Sequence, residues 1–247
     1  MYLFIILTFR VLSQSLKEIR PNVINMDIHS PDGLIHAFEN DLLSKNIIDV
    51  LISNYFTSAA ALFTAQHHGR AFTIMRHPID LSESLFHYRK KASWEPTYRP
   101  DWNKITYLQY VRSEEYIANW MTHQLTGTMP WVELTDMHLE HAKAVLQNKV
   151  FVGIASQMDE TVRQLKKYFH WIEEQPFCVF NYLHSQPTNS NKHPKMTRGS
   201  PEWLEVAEKE KWDMSLYYFA LELFAQQRER YPPDDPGSEG LVNVMSP

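Results

Sequence analysis

Arg76 ends a short apolar run, Ala71-Phe72-Thr73-Ile74-Met75, and Pro78, two residues later, opens a segment with helical spacing. A strand that delivers an arginine beside a helix N-terminus sets a fixed positive charge where free backbone N–H groups and the helix dipole already favour an anion. The guanidinium supplies forked donors that suit a phosphate. Leu81, Ser84, Leu85 and Tyr88 recur at i, i+3, i+4 and i+7, a stripe that the spacing turns inward, so the Ser84 hydroxyl is a second candidate for the same anion. The competing reading gives Ser84 a bond back to the carbonyl one turn earlier and Arg76 an ordinary ion pair.

Arg76-x-Pro78, five residues and then Ser84, with Phe86 and Tyr88 close by, resembles the 3′-phosphate segment of sulfotransferases that use 3′-phosphoadenosine-5′-phosphosulfate (PAPS). Three further stretches follow in that family's order. Tyr107-Leu108-Gln109-Tyr110 and then Asn119-Trp120-Met121-Thr122-His123-Gln124-Leu125-Thr126-Gly127 are similar to a stretch of Golgi carbohydrate sulfotransferases of the heparan, dermatan and chondroitin type, ending N-x-x-T-x-x-L-x-G. Phe151-Val152-Gly153-Ile154, with Met158-Asp159-Glu160-Thr161 and a helix running to Trp171, resembles their strand, acidic turn and helix. The run from Trp212 through Phe224 resembles their closing helix.

The resemblance spans roughly residues 47–230. It implies a three-layer α/β/α, P-loop NTPase-like fold around a parallel sheet, with PAPS as co-substrate and no metal. The implied reaction is in-line transfer of a sulfuryl group to a hydroxyl of a carbohydrate or glycan acceptor. Arg76 and Ser84 would hold the 3′-phosphate, a positioning task, and the family's address would be the Golgi.

Two departures bear on activity. Members of the family hold the 5′-phosphosulfate in a loop of the form K-x-G-[GT]-T-[ST], where glycines admit the anion to the backbone and lysine steadies the leaving group. No such run occurs; residues 8–15 offer Arg10, Ser13 and Ser15 without glycine or lysine, so the chain starts after the loop or the loop has degenerated. A histidine that would accept the substrate proton is replaced by Tyr55, within Ser53-Asn54-Tyr55-Phe56, and a phenol is a poor base at neutral pH. His67 and His68 are weaker candidates for that task, as loop residues that face solvent in the simpler reading.

The whole-chain charge of −5 provides no field for nucleic acid, so an anionic glycan needs a local basic groove. Lys192, Lys195 and Arg198, with His193 in the same polar loop, are weak candidates for one, and Arg89-Lys90-Lys91 form a second basic cluster at a helix end. Cys178, the one cysteine, excludes an internal disulfide and reads as a buried thiol between Phe177 and Val179. His138 and His141 lie three apart on a helix without a third ligand, and read as surface histidines; Trp102, Trp120, Trp131, Trp171, Trp203 and Trp212 read as core and hinge residues.

Length and a 44% hydrophobic content fit one substantial core, taken as residues 1–231 with a flexible tail at 232–247. The apolar run of residues 2–7 is too short to span a bilayer and reads as a core strand, so a membrane association would need an anchor absent from this chain. Further on, residues 16–19 read as helix, 23–26 as strand, 34–43 as helix, 47–52 as strand and 59–66 as the element leading to the Arg76 strand. Residues 94–104 read as a loop over the site, 108–125 and 136–145 as helices, 150–154 as a core strand, 159–169 and 201–230 as helices, the last with a break near Lys211. Alternating strands and helices imply a parallel sheet with its ligand site at the carboxyl ends of the strands.

Overall fold

Three runs of apolar residues, together with a fourth at the front of the chain, build one sheet in the computed structural model, which describes residues 3–7, 18–20, 23–24, 30–44, 50–94, 97–170 and 193–233. The chain forms β1 (Leu3–Leu7), a small hairpin of β2 (Glu18–Arg20) and β3 (Val23–Ile24), β4 (Val50–Ser53), β5 (Arg70–Met75) and β6 (Val150–Ile154). The sheet has the order β4-β1-β5-β6. β5 and β6 pair in parallel, Ala71 opposite Val150 through Met75 opposite Ile154. Their near-continuous apolar sequence matches strands covered on both faces.

The expected all-parallel sheet is corrected at β1, which runs antiparallel to both neighbours. Strand direction leaves no mark in a five-residue apolar run, because either direction satisfies the same alternation. Phe4 of β1 pairs with Ser53 on one side and Thr73 on the other, so β4, β5 and β6 all end at the same edge. Leu7, the end of β1, pairs with Arg70 at the opposite edge.

The helices are α1 (Pro31–Glu39), α2 (Phe56–Ala60), α3 (Pro78–Arg89), α4 (Tyr107–Val111), α5 (Trp120–Thr126), α6 (Asp136–Lys149), α7 (Met158–Phe169), α8 (Pro201–Lys209) and α9 (Lys211–Arg230). Local chemistry starts several of them. Ser30 accepts the Gly33 N–H at 3.1 Å before Pro31, and Thr106 and Gln109 close a capping box on α4. His138, read as a bare surface histidine, caps α6 together with Thr135. His141 is exposed, as expected.

Two helix readings change. Glu18–Arg20 is a strand in the hairpin, where the sequence pattern gave a helix. The helix expected over 108–125 is split into α4 and α5, because Asn119 takes a left-handed backbone, φ 55°, that no helix continues through. The break expected near Lys211 is present at Glu210. Cys178, Trp171, Lys192, residues 8–15 and residues 234–247 lie outside the described residues.

Alternation along β5 and β6 divides the packing between the faces. Ala71, Met75, Val150, Val152 and Ile154 join Leu51 and the apolar sides of α1, α2, α5, α6 and α9 in the main core. Phe72 and Phe151 point the other way, onto Leu165 and Phe169 of α7. Helices therefore cover both faces, and the chain is a mixed α/β protein. The outer edge of β6 is closed as well: the Gln227 side chain donates to the Val152 carbonyl at 2.6 Å and accepts its N–H at 3.0 Å.

A second core holds α3. Phe86, 1% exposed, stacks on Trp102 at 5.5 Å and on Tyr110 at 5.4 Å, with Ile79, Tyr107 and Val206 around it. Trp102 lies in the short 3-10 turn Pro100–Lys104, inside the segment expected as a loop. Aromatic pairs in this geometry contribute about 0.5–1.5 kcal/mol each beyond area burial, enough to fix the helix that follows Arg76.

Candidate functional site

Arg76 leaves the carboxyl end of β5 one residue after Met75, whose partner Ile154 closes β6. Pro78 is the first residue of α3, and its fixed φ suits that place. The Arg76 side chain is half-buried and has no hydrogen-bond or ion-pair partner among the described residues. A guanidinium left so, beside the start of a twelve-residue helix, carries the charge and the forked donors that binding an anion there would require.

His77, which the sequence reading passed over, is the residue before α3 and packs against Trp203 at 6.1 Å and Tyr217 at 5.5 Å. Burial pulls its pKa below the usual imidazole value, opposed by Asp80 and assisted by the Arg198 charge. Its Nδ1 is buried with no hydrogen-bond partner among the described residues. Nothing in the local sequence marks it, since Trp203 and Tyr217 arrive from α8 and α9.

Ser84 is half-buried, and its neighbours on the expected stripe differ in depth: Leu81 enters the main core, whereas Leu85 and Tyr88 are half-buried. The most buried face of α3 is another one, with Ile79, Glu83 and Phe86. The bond back to the preceding turn belongs to Ser82, which donates to the Ile79 carbonyl at 3.3 Å and also bonds the Tyr107 hydroxyl. Among the described residues no hydrogen bond joins Ser84 to Arg76.

Tyr55 lies two residues beyond Ser53 and thus at the same sheet edge as Arg76, two strand spacings away, about 10 Å across β1. Its ring meets Trp120 edge-on at 5.8 Å. His67 and His68 precede β5 and stand at the opposite edge, about 20 Å of strand from Arg76. The fold therefore separates them from the arginine. Arg198 is exposed, yet reaches the His77 side of the site, with its guanidinium 5.9 Å from the Trp203 ring and 3.4 Å from the Tyr218 hydroxyl. Lys195 is exposed and its charge acts on Glu83 instead.

The Asn119 stretch has a structural task. The Asn119 side chain accepts the N–H groups of Trp212 and Asp213, at 3.0 and 3.1 Å, and donates to the Lys209 carbonyl at 2.8 Å. Asp213 in return accepts from the Met121 and Thr122 N–H groups and the Thr122 hydroxyl, at 2.9, 2.8 and 2.6 Å. The starts of α5 and α9 thus cap each other. Glu210 joins them, accepting the Asn119 N–H at 2.8 Å and the Tyr116 hydroxyl. Burial pushes both carboxyls up, and the Asp213 charge pushes Glu210 further. Gly127 ends α5 at φ 68°, against Thr57.

A cavity of about 450 Å³ opens beside this junction, lined among others by Tyr116, Ile117, His123, Trp131, Lys211 and Trp212. None of the residues selected from the sequence as site candidates lines it. Trp131, expected among core and hinge residues, is 81% exposed and lines its mouth. Comparison of the chain with protein-family models, with curated proteins and with solved structures yields no match.

Proposed function

We propose that this chain is a PAPS-dependent sulfotransferase with a P-loop NTPase-like α/β fold, transferring a sulfuryl group to a carbohydrate hydroxyl, with the Golgi as its compartment. The observation that carries the reading is Arg76: a half-buried guanidinium without a partner among the described residues, at the carboxyl end of a parallel strand and directly before a helix. The order of the four family-like stretches supports it. In this reading Arg76 and the start of α3 take the 3′-phosphate, Ser84 adds a hydroxyl, and Arg198 lies near the same helix start to meet an anionic glycan.

What supports the reading concerns the 3′-phosphate end, and nothing comparable supports the sulfuryl end. β1, the antiparallel neighbour of β5, ends at the far edge of the sheet, and this sequence holds no K-x-G-x-T run to steady the leaving phosphate. Losing one such donor costs roughly 10²–10³ in rate. A second reading is favoured by this direction of β1: a protein of the same fold that binds the nucleotide, or a glycan, without turning it over.

Adenosine 3′,5′-bisphosphate at about 100 times its dissociation constant should stabilise the folded chain by about 2.7 kcal/mol, and Arg76→Ala should remove the shift. An unchanged melting temperature in the intact protein overturns the first reading and the nucleotide-binding form of the second; the glycan-binding form then stands or falls on a melting-temperature shift with the glycan panel. Transfer of labelled sulfate from PAPS to a glycan panel separates them, since binding without transfer leaves only the second.

A further inference from the structure

Glu83 and His87 stand one turn apart on α3, and His193, from the segment before α8, lies against them. One ligand atom from each of the three comes within 4.8 Å of the others. Glu83 is buried, 4% exposed as a residue. Both its oxygens accept the Met196 N–H, at 3.2 and 3.4 Å, and no lysine or arginine among the described residues forms an ion pair with it. A buried carboxylate in that state has no cation bound directly to it, although the His193 and Lys195 charges reach it.

The two imidazoles lie against each other. Their rings stack at 4.3 Å and 13°, so one of them must turn for the in-plane lone pairs of both to meet at one ion. His193 Nδ1 lies 3.0 Å from the Pro194 carbonyl, so Nδ1 carries the proton and Nε2 is left as a donor to a metal.

We propose that Glu83, His87 and His193 form a site for a divalent cation of the Zn²⁺ class, which fastens the segment before α8 to α3. Two imidazole nitrogens and one carboxylate oxygen are a zinc donor set with a fourth place left for water, and they disfavour Mg²⁺ and Ca²⁺, which want oxygen ligands. Bond lengths of about 2.0–2.2 Å require the three atoms to close in by roughly 1–1.5 Å, a movement that the irregular segment carrying His193 can supply. The site does not depend on the sulfotransferase reading: His193 shares the polar loop considered for the glycan, but the ion needs neither nucleotide nor acceptor.

The test is calorimetric titration of the full chain, stripped with chelator, with ZnCl₂, alongside Co²⁺ titration followed by visible absorption. One equivalent of Zn²⁺ should bind, Co²⁺ should give the intense bands of tetrahedral coordination, and His193→Ala should weaken Zn²⁺ binding by about 100-fold. His193 is half-exposed, so this variant keeps the fold, which circular dichroism checks; Glu83→Gln, at a buried place, is a second variant. His141→Ala should leave binding unchanged. Absence of stoichiometric binding, or binding lost in His141→Ala and kept in His193→Ala, overturns the proposal.

Discussion

Gly153→Ala is a small change with a calculable cost. A Cβ at residue 153 stands 2.4 Å from the Thr161 Cγ2, where ordinary contact begins at 3.4 Å. Thr161 has nowhere to go: it is 0% exposed, and its hydroxyl accepts the Ile154 N–H at 2.8 Å and donates to the Ile154 carbonyl at 3.0 Å. Either β6 or α7 must therefore shift by about 1 Å, and overpacking of this kind costs about 1–3 kcal/mol. Thr161→Ser keeps the two bonds and removes the methyl, for about 0.8 kcal/mol. In the double variant the new methyl occupies the vacated space, so its destabilisation should fall below the sum of the single effects by about 1–2 kcal/mol. Urea denaturation of the four proteins measures the cycle, and melting temperatures should move by about 2–4 °C per kcal/mol. Strict additivity, or a Gly153→Ala chain within about 0.5 kcal/mol of the parent, refutes the reasoning.

Asn119→Ala removes three side-chain hydrogen bonds and leaves the Trp212 and Asp213 N–H groups without their acceptor, so the urea midpoint should drop by the equivalent of about 3 kcal/mol with an unchanged slope. Glu210 titrates above its unfolded value, so between the ordinary glutamate pKa of about 4.3 and that raised value the folded chain holds a proton the unfolded chain has lost. Its contribution is fully present below the window and disappears as pH rises through it. Glu210→Gln should flatten the fall in melting temperature with rising pH and gain relative to the parent at pH 8; an identical pH slope in both proteins rules this out.

The Arg76 strand and the start of α3 are legible in the sequence because an apolar run and a proline are local signals. β1 is legible as a strand but not in direction, since nothing in five residues says which way they run. The Asn119 stretch stands out as a pattern, yet its task is decided by Asp213 and Glu210, distant in the chain. For the same reason the Glu83, His87 and His193 cluster escapes a search for metal spacing, which singled out His138 and His141 on one helix. The inward stripe on α3 meets only part of its buried surface, because a helix packed on two sides has two apolar faces and a single period cannot rank them.

Because the beginnings of α5 and α9 each borrow acceptors from the other, neither can fray alone. Opening one exposes amides at both, so the two helix starts behave as a single cooperative block rather than as two independent ends. Opening of the two helix starts is then all-or-none, and the part of the cavity wall formed by Asn119 and Trp212 moves only when that block lets go as a whole.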